Sequence, residues 1–434
     1  MIGNLLPNNK DKKQSVYILL LIFLIGVVLR ITPILILEFK TPGWHENNVN
    51  EIEFYYDDVA RSLLVGNGFV HSVNPRSVDQ KFKFTPGTPF SFVPPLYAWF
   101  LYLVYSVIGP SILGAKIVQS VMDASVCILI YLLGKRIFAE QRISLLASFL
   151  YAVYPLAIIL CSTLYYQIPM NLALCWMLIC FMSAVTVYNG IWTGIALGLA
   201  SLAKPVTLPL LLLMPVVRLV EAFWEKRPIS QPMKWISVFL LFAILSLTPW
   251  TVRNYMVFHK FIPIQKGAGA PLLQGSKEEY IDLDVDNLRI IYAKDFKIDP
   301  KDTSKIAINN HLEHLKKDPI DYFRFLGKKF ILTWYNTEGK SKNLYVFLVQ
   351  IPFLFFALIS LIFSAKSWIK SPNWYVPGII LFICGIQVVF FPLVRYTLVI
   401  MPFVMIMTAN GMFIAFYRLR KTLSNNDRMD INSI

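Results

Sequence analysis

GIWTGIALGLASLAKPVTLPLLLLMPVVRLV, residues 190–220, is a long apolar run broken in its middle by Lys204-Pro205. A helix needs about 20 apolar residues to cross the hydrocarbon core of a bilayer. This stretch is too long for one crossing and has a helix-breaking pair at its midpoint, so it reads as two short spans meeting at Lys204. Outward from it the pattern repeats. Further apolar stretches cover 16–37, 113–134, 143–162, 168–187, 235–257, 344–365, 374–393 and 397–417, which makes ten expected crossings. The first stretch is long and lacks a small-residue cleavage site, so it reads as a span and not as a cleaved signal peptide.

Composition agrees. The 434 residues are 56 % hydrophobic and 15 % charged, against about 45–50 % and about 25 % in soluble domains. This excludes an ordinary cytosolic enzyme, a disordered chain and a secreted disulfide scaffold. The net charge of +15 points to cytoplasmic loops and anionic lipid before nucleic acid. Five cysteines lie inside apolar stretches, with no C-x-x-C pair. His311 and His314 lack a nearby cysteine, so no metal site is read there.

The stretch 93–108 (VPPLYAWFLYLVYSVI) is ambiguous, and positive charge decides it. If it does not cross, the short loops on one side (1–15, 135–142, 188–190, 218–234, 366–373, 418–434) carry 16 Lys and Arg. Those on the other side carry only Lys204 and Arg395. The positive-inside rule therefore makes 93–108 a helix lying on the outer surface. The expected fold is an all-α polytopic membrane bundle. Its parts are a cytoplasmic tail (1–15), an N-terminal transmembrane module (16–257) that includes an outer loop (38–112), an extracytoplasmic region (258–343), C-terminal transmembrane helices (344–417) and a second cytoplasmic tail (418–434). The region 258–343 ends in an amphipathic stretch from Lys305 to Tyr335.

Two groups of residues have chemical potential. The outer loop holds NEIEFYYDDVARSLLVGNGF (Asn50 to Phe69), with Tyr56, Ala60, Leu63 and Leu64 on one helical side and Gly66 and Gly68 as the stop. Around that core stand Glu51, Glu53, Asp57 and Asp58. They read either as acids favoured by a helix N-terminus or as a general base held above the membrane. The second group is Lys204, Arg253 and Arg395, the last followed by Tyr396. Each could snorkel to the interface. Together on the outer face, beside Pro205, Pro249 and Pro402, they suit a lipid-borne phosphate.

The ordered motifs resemble the GT-C superfamily of polyprenyl-phosphate-sugar-dependent glycosyltransferases, above all protein O-mannosyltransferases and the bacterial transferases that add aminoarabinose to lipid A. They are Y-x-x-x-A-x-x-L-x-x-G-x-G-F (Tyr56 to Phe69), PPLY (Pro94 to Tyr97), IYLLGKRIF (Ile130 to Phe138), GLASLAKP (Gly198 to Pro205), TPWTVRNYMVFHKFIP (Thr248 to Pro263) and RYTLVIMPF (Arg395 to Phe403). The resemblance implies a transmembrane bundle with surface-lying helices in the first outer loop. It implies transfer, with inversion, of a sugar from a polyprenyl-phosphate carrier to an extracytoplasmic lipid, glycan or protein, at the outer face of the plasma membrane. No nucleotide cofactor enters that reaction.

The family's acidic pair falls at Ile52 and Glu53, so its leading aspartate is replaced here. Glu53 remains, with Glu51, Asp57 or Asp58 as substitutes if the register is shifted. Gln167 in TLYYQIPMN stands where related sequences carry an acid. Competing readings are a transporter or flippase of lipid-linked substrates, for which no internal repeat is visible, and a catalytically inactive relative.

Overall fold

The computed structural model describes residues 9–71, 87–138, 140–266, 269–278, 300–337, 340–368 and 373–431. Among these the regular structure is helical. Helix α1 (Asn9–Lys40) leads into the first long loop, which carries α2 (Trp44–Asn47), α3 (Glu51–Leu64) and α4 (Pro95–Ile108). Next come α5 (Ile112–Ile137), α6 (Gln141–Ala152), α7 (Pro155–Leu160), α8 (Gln167–Phe181), α9 (Val187–Ala203), α10 (Leu210–Trp224) and α11 (Ser230–Phe258). The second outer region contains α12 (Gly269–Gly275), α13 (Pro300–Lys317) and α14 (Pro319–Leu332). Helices α15 (Asn343–Phe363), α16 (Tyr375–Gln387) and α17 (Met401–Ile431) complete the chain.

All the expected apolar stretches fall on helices, but not all as single rods. Six helices are long and apolar enough to cross a membrane: 13–40, 112–137, 205–224 with its short lead-in, 230–258, 343–363 and 401–420. The stretch 143–162 is split into α6 and α7 because Pro155 cannot continue the helix that ends at Ala152. The protein is an integral membrane bundle. Residues 95–108 form a short apolar helix, α4, started by Pro95 and stopped at Gly109 with φ 84°. It packs on α3.

Small residues set the tightest contact. Gly190, Gly194 and Gly198 recur every fourth residue along α9, against Trp235, Phe239, Ala243 and Ser246 of α11. A methyl at Gly194 would run into the Phe239 carbonyl, so only glycine lets these backbones approach. Between α1 and α5 lies a fully buried ion pair, Arg30 Nε to Asp123 at 2.7 Å. Arg30 also donates to the carbonyls of Ala152 and Tyr151 at 2.9 and 3.2 Å. Tyr151 gives its hydroxyl to Asp123 at 2.8 Å. A pair so fully hydrogen-bonded repays its desolvation and joins α1, α5 and α6.

Candidate active site

The first side of the site is α3. Asn50 caps it, accepting from the amides of Ile52 and Glu53. The Asn50 amide then donates 2.7 Å to Glu53 Oε1. The helix stops where Gly66 and Gly68 take positive φ. Its acids are not a solvated helix start: Glu53, Asp57 and Asp58 are 3, 0 and 5 % exposed. Glu51 begins the helix, and its side chain lies outside the described residues.

Each described acid has its own partner. Asp57 accepts from Arg61 Nε at 3.0 and 2.9 Å and from the Tyr105 hydroxyl at 2.6 Å. Asp58 pairs with His71 Nδ1 at 3.0 Å. Glu53 Oε2 has Lys116 Nζ at 3.7 Å, an ion-pair distance too long for a good hydrogen bond. Lys116 Nζ also lies 3.3 Å from His45 Nδ1, while His45 Nε2 meets the Ile34 carbonyl at 3.1 Å. His45 is thus a neutral tautomer that donates through Nε2 and accepts from Lys116. Burial, and then the Lys116 charge, press its pKa down against the Ile34 carbonyl. Burial pushes the Glu53 carboxyl up to about 7, with Lys116 and the Leu164 amide opposing the rise.

The second side sits where helices break. The residue before a proline is forced out of the helical region, so Lys204 is extended (φ −158°, ψ 128°) between α9 and a short turn at Pro205–Thr207. Arg395 lies in a second short turn, Val394–Val399, ahead of α17. These breaks bring together residues almost two hundred positions apart. Lys204 Nζ is 6.0 Å and Arg395 Cζ 5.2 Å from the same Tyr396 ring. Lys204 also faces Tyr166 at 5.0 Å. Among the described residues the Lys204 ammonium has no carboxylate within 4.0 Å. Lys204, Tyr396 and Tyr166 line a cavity of about 330 Å³, closed by Gln265, Pro271, Gln387, Phe390 and apolar neighbours.

The two sides meet through Tyr56, one turn along α3 from Glu53. Burial raises its phenol, and Arg395 is close enough to oppose that rise. Its ring packs edge-on against Tyr97 at 4.9 Å. Gln167, at the start of α8, donates to the Arg395 carbonyl at 3.3 Å.

Arg253 is placed differently from the expectation of three converging cations. Its guanidinium donates to the carbonyls of Phe69 and Phe90 at 2.6 and 3.0 Å and lies over Trp250 at 4.9 Å. It does not line the cavity but fastens two points of the first long loop, Phe69 and Phe90, to α11. Sequence reasoning missed Lys116, His45, Tyr166 and Gln387. The only signal for Lys116 was a cation inside an otherwise apolar stretch. No three His, Cys, Asp or Glu side chains cluster to hold a metal among the described residues, and Glu53, Asp57 and Asp58 are already paired with Lys116, Arg61 and His71. This set does not fit a divalent ion.

Comparison with known proteins agrees with this architecture. Residues 93–251 match the profile of the dolichyl-phosphate-mannose-protein mannosyltransferase family. The archaeal oligosaccharyltransferase AglB from Archaeoglobus fulgidus, in complex with an inhibitory peptide and a dolichol-phosphate, superposes with a TM-score of 0.56 at 14 % identity, covering 96 % of this chain and 52 % of that one. The oligosaccharyltransferase of the same organism with zinc and sulfate gives 0.54 at 14 %, covering 96 % and 51 %. ArnT from Cupriavidus metallidurans bound to undecaprenyl phosphate gives 0.37 at 12 %, covering 93 % and 77 %. The chain spans about half the length of the two oligosaccharyltransferase chains, and the likeness to them is one of fold. None of the curated proteins compared matches. The fold and the matched segment carry the resemblance to GT-C glycosyltransferases that the sequence motifs suggested.

Proposed function

We propose that the protein is a membrane glycosyltransferase that moves a sugar from a polyprenyl-phosphate carrier to an extracytoplasmic acceptor. The observation that carries this reading is the cavity lined by Lys204, Tyr166 and Tyr396 among apolar walls, with the Arg395 guanidinium 5.2 Å from the Tyr396 ring. A phosphate between those cations would be held by charge-assisted hydrogen bonds, and the apolar walls would take the start of a polyprenyl chain. The dolichol-phosphate named with AglB is of the chemical class that leaves in such a transfer.

In the proposed step the acceptor hydroxyl attacks the anomeric carbon. The bond from that carbon to the phosphate oxygen breaks, its electron pair leaves on the phosphate, and the hydroxyl proton passes to Glu53. Lys204 and Arg395 stabilise the charge growing on the leaving phosphate. Glu53 is the choice of base because Asp57 and Asp58 are held by Arg61, Tyr105 and His71, whereas Glu53 Oε2 has only a long ion pair. A carboxyl near 7 is also poised for proton transfer at neutral pH. Arg253 keeps the outer loop over the site in this scheme.

The test incubates purified protein with a panel of polyprenyl-phosphate sugars and measures released polyprenyl phosphate with and without acceptors. Release that depends on an acceptor and disappears in Lys204→Ala supports the reading. Movement of intact lipid-linked sugar across a bilayer without release would replace it with a flippase.

A further inference from the structure

The amphipathic stretch from Lys305 to Tyr335 plays no part in the proposed reaction, and its second half has a clear division of faces. One side of α14 is anchored: Phe325 and Lys329 are buried. The Lys329 ammonium donates to the carbonyls of Gly275 and Val389 at 2.6 and 3.2 Å. The opposite side is apolar and uncovered. Ile320, Phe323 and Ile331 are 68, 65 and 61 % exposed, with Phe330 beside them. At helical spacing these four fall within one stripe about a third of the circumference wide.

Charge flanks the stripe. Residues 316–328 hold Lys316, Lys317, Arg324 and Lys328 against Asp318 and Asp321. Both acids are engaged locally: Asp318 caps α14 by accepting from the Asp321 amide at 3.0 Å, and Asp321 pairs with His314 at 2.8 Å. Lys328 pairs with Glu278 at 3.9 Å, so what faces outward is apolar with a cationic edge of Lys316, Lys317 and Arg324. Trp334 and Tyr335 follow, and then α15, one of the helices able to cross a bilayer. Aromatics at that position suit the boundary between headgroups and chains.

We propose that α14 is an interfacial helix docked on the anionic headgroup surface of the bilayer, with Ile320, Phe323, Phe330 and Ile331 sunk into the acyl boundary. Such helices bury their apolar face about 5–10 Å into that layer. The opposite face reaches the cavity wall, since Lys329 ties α14 to Gly275 and Val389, neighbours of Pro271 and Phe390 that line it. The outer region thus rests on the membrane beside the cavity, in place of projecting into water as a separate domain.

The test uses the full chain in vesicles of phosphatidylethanolamine and phosphatidylglycerol. The native cysteines are buried, so single surface cysteines can carry spin labels. Ile320→Cys, Phe323→Cys and Ile331→Cys are compared with Asp321→Cys and Lys328→Cys by power saturation with oxygen and with a water-soluble nickel chelate. The first three should favour oxygen and the last two nickel, a reversal of sign along one helix. Nickel access at all five positions would overturn the proposal. Shielding of the first three from both reagents would also overturn it, in favour of a protein partner. In phosphatidylcholine vesicles the oxygen preference should weaken, and an unchanged depth would refute the role of anionic headgroups.

Discussion

The two sides of the candidate site solve the problem of buried charge in opposite ways. On α3 each described carboxylate has a basic side chain of its own: Lys116 for Glu53, Arg61 for Asp57, His71 for Asp58. Across Tyr56, Lys204 faces the rings of Tyr166 and Tyr396 with no carboxylate beside it. Aromatic faces attract a cation by about 0.5–2 kcal/mol, far less than the cost of burying it alone. The first arrangement is complete as folded. The second leaves the ammonium on aromatic faces, the asymmetry on which the proposed phosphate site rests.

The comparison breaks most visibly at Glu53, whose ion pair is the longest of the three. Glu53→Gln keeps volume and hydrogen bonding, and turnover should fall by roughly 10²–10⁴ fold if it is the base. Steady-state transfer measures this, and near-normal rates would return the acid to a purely structural role. In the wild type, kcat/KM should rise with pH through about 7, because the carboxyl must be ionised to accept a proton and burial holds it near that value. A flat profile from pH 6 to 8 would contradict the assignment.

Lys204→Ala should cost less, about 10–100 fold in donor kcat/KM, the equivalent of one charge-assisted hydrogen bond of about 1.5–3 kcal/mol. Its thermal stability should stay at or above wild type, since only the Tyr166 and Tyr396 ring contacts are lost while a buried charge is removed. The reverse is expected for Asp57→Asn, where the bidentate Arg61 contact and the Tyr105 hydroxyl are left without a full acceptor. Stability should drop by about 1–3 kcal/mol, read from the detergent-solubilised melting transition. A stable Asp57→Asn variant beside an unstable Lys204→Ala variant would invert the distinction.

The finest test concerns Lys329, whose amine meets two backbone carbonyls and the Phe325 ring. Burial lowers its pKa to about 7 from an ordinary 10.5. Between those values the unfolded chain binds more protons than the folded one, so stability should rise with pH across that window. Lys329→Met should flatten the rise, and an unchanged slope would assign it to other groups.

Much of this was legible in the residues. Apolar lengths gave the bundle, Lys204-Pro205 marked a break, and the glycines after Leu64 ended α3 where the helix ends. The spacing of Tyr56 and Ala60 identified the buried side of that helix. What spacing could not convey was rotation: Asp57 and Asp58 also point inward, because partners 4 to 48 residues away reach them. Likewise Arg253 and Arg395 carry the same charge in similar settings. Only the tertiary fold decides that one meets carbonyls 163 and 184 residues upstream while the other flanks a cavity.

The Arg253 clasp also orders events in time. Phe69 and Phe90 leave the ribosome long before the residue that fastens them. At about 5–20 residues per second, the outer loop waits roughly 10–40 s for its latch. During that interval its acid-bearing helix is without that anchor. Biogenesis of this protein therefore has a vulnerable window early in translation, which closes once α11 has been inserted.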